Sequence, residues 1–207
     1  MKRLSVIALL FCFILVGCSR EDEIKLEDKE EEKSIYTINK VLMGDKLVDY
    51  KDEFKYYSLF VGSNVLGGGP HSKLFVNVRE KESLCYYIYS SLEKYKTSMF
   101  ISSGIESENY DKTVELIGEQ LKSLKEGKIS DEELLNSKSA IISSLKTIKD
   151  SLGGSSDFYF SQSMGGTNTT VEKIIEMIEK VTVSDIVEAF KNIELDTIYF
   201  LSNNKEA

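Results

Sequence analysis

Arg79 and Tyr86 stand seven residues apart within Gly67 to Tyr89, GGGPHSKLFVNVREKESLCYYIY. The arginine brings a planar cationic fork and the tyrosine a neutral hydroxyl. If both project into one cleft, they suit a peptide carbonyl, or the oxyanion it becomes when attacked. The residue types alone also allow plainer roles, a surface salt bridge to a nearby glutamate for Arg79 and core packing for Tyr86. The other reactive side chains in this region offer less. His71 is the single histidine of the chain, and no Cys or His partner lies at metal-ligand spacing, so it reads as a helix N-terminal or interface residue. Cys85 sits mid-strand among aromatics with no paired histidine and reads as a small buried apolar residue. Neither phosphate-loop pattern can be drawn through Gly67 to Gly69, which read as a helix stop.

These residues depend on the elements around them. Ile35 to Met43 has the β-branched content of a strand, and Gly44 to Asp52 reads as a loop. Phe54 to Leu66 carries apolar residues at helical spacing, and a second helix is expected from about Pro70 to Lys81. Ser83 to Ser91 and Ser98 to Gly104 read as an antiparallel pair joined by Leu92 to Thr97. Strict alternation in the first of these places Tyr86, Ile88 and Ser90 on one face and Cys85, Tyr87 and Tyr89 on the other. If Tyr86 faces a cleft, Tyr87 then faces the opposite layer.

Further helices are expected from Asn109 to Glu126, from the capping box Ser130-Asp-Glu-Glu133 to about Lys149, and over Asp157 to Met164 after a break at Ser151 to Ser156. Two more follow at Thr170 to Lys180 and Ser184 to Asn192, with a closing strand at Asp196 to Ser202. Strands at both ends and in the middle, with helices between, predict an α+β fold: an antiparallel-rich sheet with helices packed on one face.

The chain has 207 residues, 26 basic and 34 acidic, for a net charge of -8. It has no basic cluster able to neutralise a phosphate backbone, which argues against nucleic acid as a partner. Met1 to Cys18 has a charged start at Lys2 and Arg3 and a short apolar run, Leu4 to Val16. It ends in Leu15-Val16-Gly17-Cys18, the pattern of a bacterial lipoprotein signal whose cysteine is lipidated. An uncleaved anchor or a plain secretory signal are the other readings. Ser19 to Lys33, SREDEIKLEDKEEEK, has almost nothing to bury and reads as a disordered acidic tether. The expected organisation is therefore a signal over 1–18, a tether over 19–34 and one domain over 35–207. The expected location is the extracytoplasmic face of the cell membrane, reached through the lipid on Cys18. With Cys12 in the signal and Cys18 lipidated, Cys85 is left alone and cannot close an intrachain disulfide.

The glycine triplet, Ser72-Lys73-Leu74-Phe75, Arg79-Glu80-Lys81 and Leu84-Cys85-Tyr86 together resemble the second, non-catalytic half-domain of the insulinase-type (pitrilysin, M16) zinc metallopeptidases. The resemblance runs from about Lys40 to the C-terminus and implies half of the LuxS/M16 metalloenzyme-like fold. Catalysis in that family needs H-x-x-E-H, in which two imidazoles one helical turn apart hold zinc and the glutamate activates water. One histidine cannot build it. The resemblance therefore implies a chain that is not a peptidase alone and holds no cofactor, with zinc expected in a separate peptidase half-domain. It assigns Arg79 and Tyr86 to substrate binding on the far wall of a peptide cleft closed by the two halves. The alternative is a catalytically inactive peptide-binding or scaffolding module at the cell surface, and a plainer one is a truncated remnant of a longer peptidase.

Overall fold

The computed structural model describes residues 35–41, 49–95 and 98–201. The signal with Cys18, the tether, and part of the loop after the first strand lie outside the described residues.

The helix α1 (Glu53–Gly67) is apolar on nearly every side, and Tyr56 to Leu59, Val61 to Ser63 and Val65 to Gly67 are all buried. A helix without a polar face must be covered all round. Here α1 packs on β2 (Cys85–Glu93) of the sheet, and it is covered in turn by α3 (Asp131–Lys149), α5 (Val171–Lys180) and α6 (Val183–Phe190). The remaining helices are α2 (Tyr110–Lys125) and α4 (Leu152–Met164). Val61, Leu66, Leu74, Met99, Ile105 and Phe190 have no appreciable exposure and form the centre of the core.

The sheet order is β2-β3-β1-β4, with β1 at Ile35–Val41, β3 at Ser98–Ile105 and β4 at Thr197–Phe200, and every neighbouring pair is antiparallel. Ile88, Met99 and Ile101 are buried under the helices. On the opposite face Tyr87 (38% exposed), Tyr89 (47%) and Tyr199 (55%) remain open. The architecture is the expected α+β arrangement, an antiparallel sheet with helices on one face.

Local chemistry explains most boundaries. Ser130 caps α3, accepting from the Glu133 N–H at 3.1 Å, while Glu133 Oε2 accepts from the Ser130 N–H at 2.8 Å; each satisfies an end group the helix cannot. Thr182 caps α6 in the same reciprocal way with Asp185, while the Thr170 hydroxyl caps α5 by accepting from the Lys173 N–H at 3.4 Å. Two expectations need correction. The break at Ser151 to Ser156 is instead the first turn of α4, because the Ser151 hydroxyl accepts from the Gly154 N–H at 3.1 Å and opens the helix there. The helix expected over Pro70 to Lys81 is mainly a π-helix, Phe75–Glu80, with the Lys81 N–H reaching back five residues to the Val76 carbonyl.

The glycine triplet does stop α1, which ends at Gly67 with Gly68 as its C-cap, but not through a left-handed cap. Gly68, the C-cap of α1, has φ -86°, which any residue can adopt. Gly67 is required by proximity: a Cβ there would stand 2.4 Å from the Ser90 backbone nitrogen. Helix and strand touch backbone to backbone, leaving no flexible atom to yield. Gly67→Ala is expected to lower the unfolding free energy by about 1–3 kcal/mol. An unchanged denaturation midpoint would show that β2 can move away from α1.

Candidate functional site

The π-helix and β2 are joined by a tight turn closed by two backbone hydrogen bonds. Ser83 N–H donates to the Arg79 carbonyl at 3.1 Å, and Leu84 N–H to the Val78 carbonyl at 3.3 Å. Ser83 takes a left-handed φ of 56° to close it, a conformation that costs a non-glycine residue strain. Val78 and Leu84 are buried on either side of the turn. Arg79 and the start of β2 are thus held together by backbone bonds and by core packing.

Arg79 itself is exposed. Its guanidinium lies over the Phe75 ring, 4.6 Å from the centroid, and a planar cation on an aromatic face is held without losing its outward N–H donors. Of the two glutamates close to it in sequence, Glu80 and Glu82, the second pairs with Lys112. The arginine's charge reaches Cys85, whose half-buried thiol is pushed up by burial, an effect that the Ser103 hydroxyl and Arg79 partly offset. A thiol held protonated is a poor nucleophile, which agrees with a packing role for Cys85.

Tyr86 stands where β2 departs from regular pairing. Cys85 is opposite Ile105 and Tyr87 opposite Gly104, so the register slips by one between them. A bulge of this kind breaks the alternation of side chains. Ile88 and Ser90 meet the helix layer as strict alternation requires, with Ser90 Oγ donating to the Ser63 carbonyl at 2.6 Å. Tyr86, two residues earlier, is freed from that face and is 45% exposed. Core packing is therefore not its role. Tyr87 does not enter a second layer either: its ring covers Gly104 and stacks with Tyr89 at 6.1 Å on the open face. The Tyr86 hydroxyl donates to Glu106 Oε1 at 2.6 Å. Glu106 had no signal in the sequence, because the one-residue slip that brings it beside Tyr86 appears only in the register.

The arrangement offers a cationic fork and a phenol, both exposed, on the two sides of one rigid junction. His71 is half-buried beside Asn77, Lys81, Ser130, Glu132 and Glu133. No group of three His, Cys, Asp or Glu side chains able to hold a metal occurs among the described residues. With a single histidine in the chain, the H-x-x-E-H zinc site does not fit these residues.

Residues 17–141 match the family of the peptidase M16 inactive domain. YmfF of Bacillus subtilis, named a probable inactive metalloprotease, is 33% identical over 186 residues, covering 87% of this chain and 44% of its own length. YmxG of the same organism, named an uncharacterized zinc protease, is 30% identical over 165 residues, covering 78% of this chain and 39% of its own. A conserved protein from Enterococcus faecalis has a crystal structure that superposes with a TM-score of 0.75 at 32% identity, over 84% of this chain and 40% of that one. The chain thus spans less than half the length of each.

Proposed function

Because this chain belongs to the peptidase M16 inactive-domain family, we propose that it is the membrane-anchored, non-catalytic half of a zinc peptidase, completing a peptide cleft with a zinc-bearing half. Arg79 and Tyr86 form its substrate wall, and Cys18 carries the lipid that holds it at the extracytoplasmic face of the cell membrane. The observation that carries the reading is the junction between the π-helix and β2. It carries an exposed guanidinium and an exposed phenol on adjoining elements, and Glu82, three residues from Arg79, is engaged by Lys112.

In this scheme the partner supplies zinc, base and water, while this chain binds and orients. Peptide carbonyls lying along the wall accept from Arg79 and Tyr86. The same donors strengthen as charge gathers on the carbonyl oxygen, because a fixed donor loses no reorganisation energy when the oxyanion forms. The relatives of greater length are consistent with a second half, since this chain accounts for 44% of YmfF and 39% of YmxG.

A second reading, an inactive peptide-binding module, is favoured by the name of YmfF, which marks that relative as an inactive metalloprotease. Affinity isolation of the chain from membranes separates the two. The peptidase reading expects a co-isolated protein carrying H-x-x-E-H, with zinc in the complex. Recovery of a complex without such a protein would leave the binding module as the better account.

A further inference from the structure

We infer that Glu106 sets which peptides the wall accepts, favouring a lysine or arginine next to the carbonyl that Tyr86 takes; this rests on the cleft reading above. A phenol has one proton to give. In this structure Tyr86 gives it to Glu106 Oε1 at 2.6 Å. A carboxylate is a stronger acceptor than an amide carbonyl, so a neutral peptide must compete for that proton and leave Glu106 without its donor. A peptide bearing a cation at this point supplies the carboxylate with a replacement partner and releases the phenol to the carbonyl.

Glu106 is built to hold this position. It follows β3 directly and is exposed. Its carbonyl accepts from the Asn109 N–H at 3.0 Å, and the Asn109 side chain reaches the Leu84 carbonyl at 3.5 Å, on the same junction that fixes Arg79. The chain's net charge of -8 also favours approach of a cationic peptide.

The test is an NMR titration of the 207-residue chain with two capped peptides, Ala-Ala-Lys-Ala-Ala and its counterpart with norleucine at the centre. The lysine peptide is expected to bind about fivefold more tightly, the scale of one exposed ion pair. Glu106→Gln should abolish that preference, because a neutral amide no longer draws the ammonium. Tyr86→Phe should weaken both peptides. A preference that survives Glu106→Gln, or is missing from the wild type while Arg79→Ala and Tyr86→Phe still weaken binding, overturns the role of Glu106 and leaves the cleft intact. No binding of either peptide to the wild type or any variant, alone or in complex with the zinc-bearing half, overturns the cleft reading, and this inference with it.

Discussion

Glu133→Gln is expected to cost about 3 kcal/mol of stability and Lys73→Met about 1 kcal/mol, read from chemical denaturation at neutral pH. Lys73 is 6% exposed, and its ammonium donates to Glu133 Oε1 at 2.9 Å. The pair links the entrance of the π-helix to the first turn of α3. Removing the Glu133 charge leaves the buried Lys73 ammonium unpaired, which costs several kcal/mol. Removing Lys73 leaves a Glu133 that is 26% exposed and still bonded to Ser130, and costs nearer the exposed-pair range. Replacing both with apolar residues should recover part of the loss.

The same pair sets an acid limit. Burial would push the Glu133 carboxyl up, but the Lys73 ammonium and the Ser130 N–H and hydroxyl outweigh it and hold the group below its ordinary 4.5. A depressed carboxylate contributes stability that is fully present above the unfolded value and is lost as pH falls through the folded one. Stability should therefore fall below about pH 4.5, and that fall should flatten in Glu133→Gln. An equal acid slope in the variant would assign the effect to other carboxylates.

The second large effect concerns catalysis. In the reconstituted pair of halves, Arg79→Ala is expected to lower kcat by about a hundredfold to a thousandfold, the roughly 2.7–4 kcal/mol associated with one well-placed oxyanion donor. Tyr86→Phe should lower it in the same direction, since it removes a hydroxyl and little else. Arg79→Lys should recover only part of the rate, because an ammonium keeps the charge without the fork. A rise in KM at constant kcat would instead mean that these groups bind substrate and transition state equally.

Much of the fold is written in local signals. The Ser130 capping box, the apolar period of α2 and the β-branched strands each have a short-range cause, and the elements fall close to where those signals put them. What escaped has a long-range cause. Ser151 opens α4 although two glycines follow it, because its hydroxyl finds the Gly154 N–H. The π-helix differs from an α-helix by one residue in its hydrogen bonding, too small a change for side-chain spacing to reveal. The bulge at Cys85 and Tyr86 arises from pairing with β3, so alternation alone misplaced Tyr86 with Ile88. The sequence could pair Arg79 with Tyr86 by type and spacing, but Phe75 beneath the one and Glu106 beside the other emerge only from the tertiary arrangement.

Whether the wall carried by this chain completes another protein's active site is read by titrating the chain into a fixed amount of the zinc-bearing half and following hydrolysis of a quenched fluorescent peptide. The rate is expected to climb from near zero, level off at one chain per partner, and disappear when zinc is chelated. A partner that cleaves the peptide equally fast with and without this chain would contradict that role.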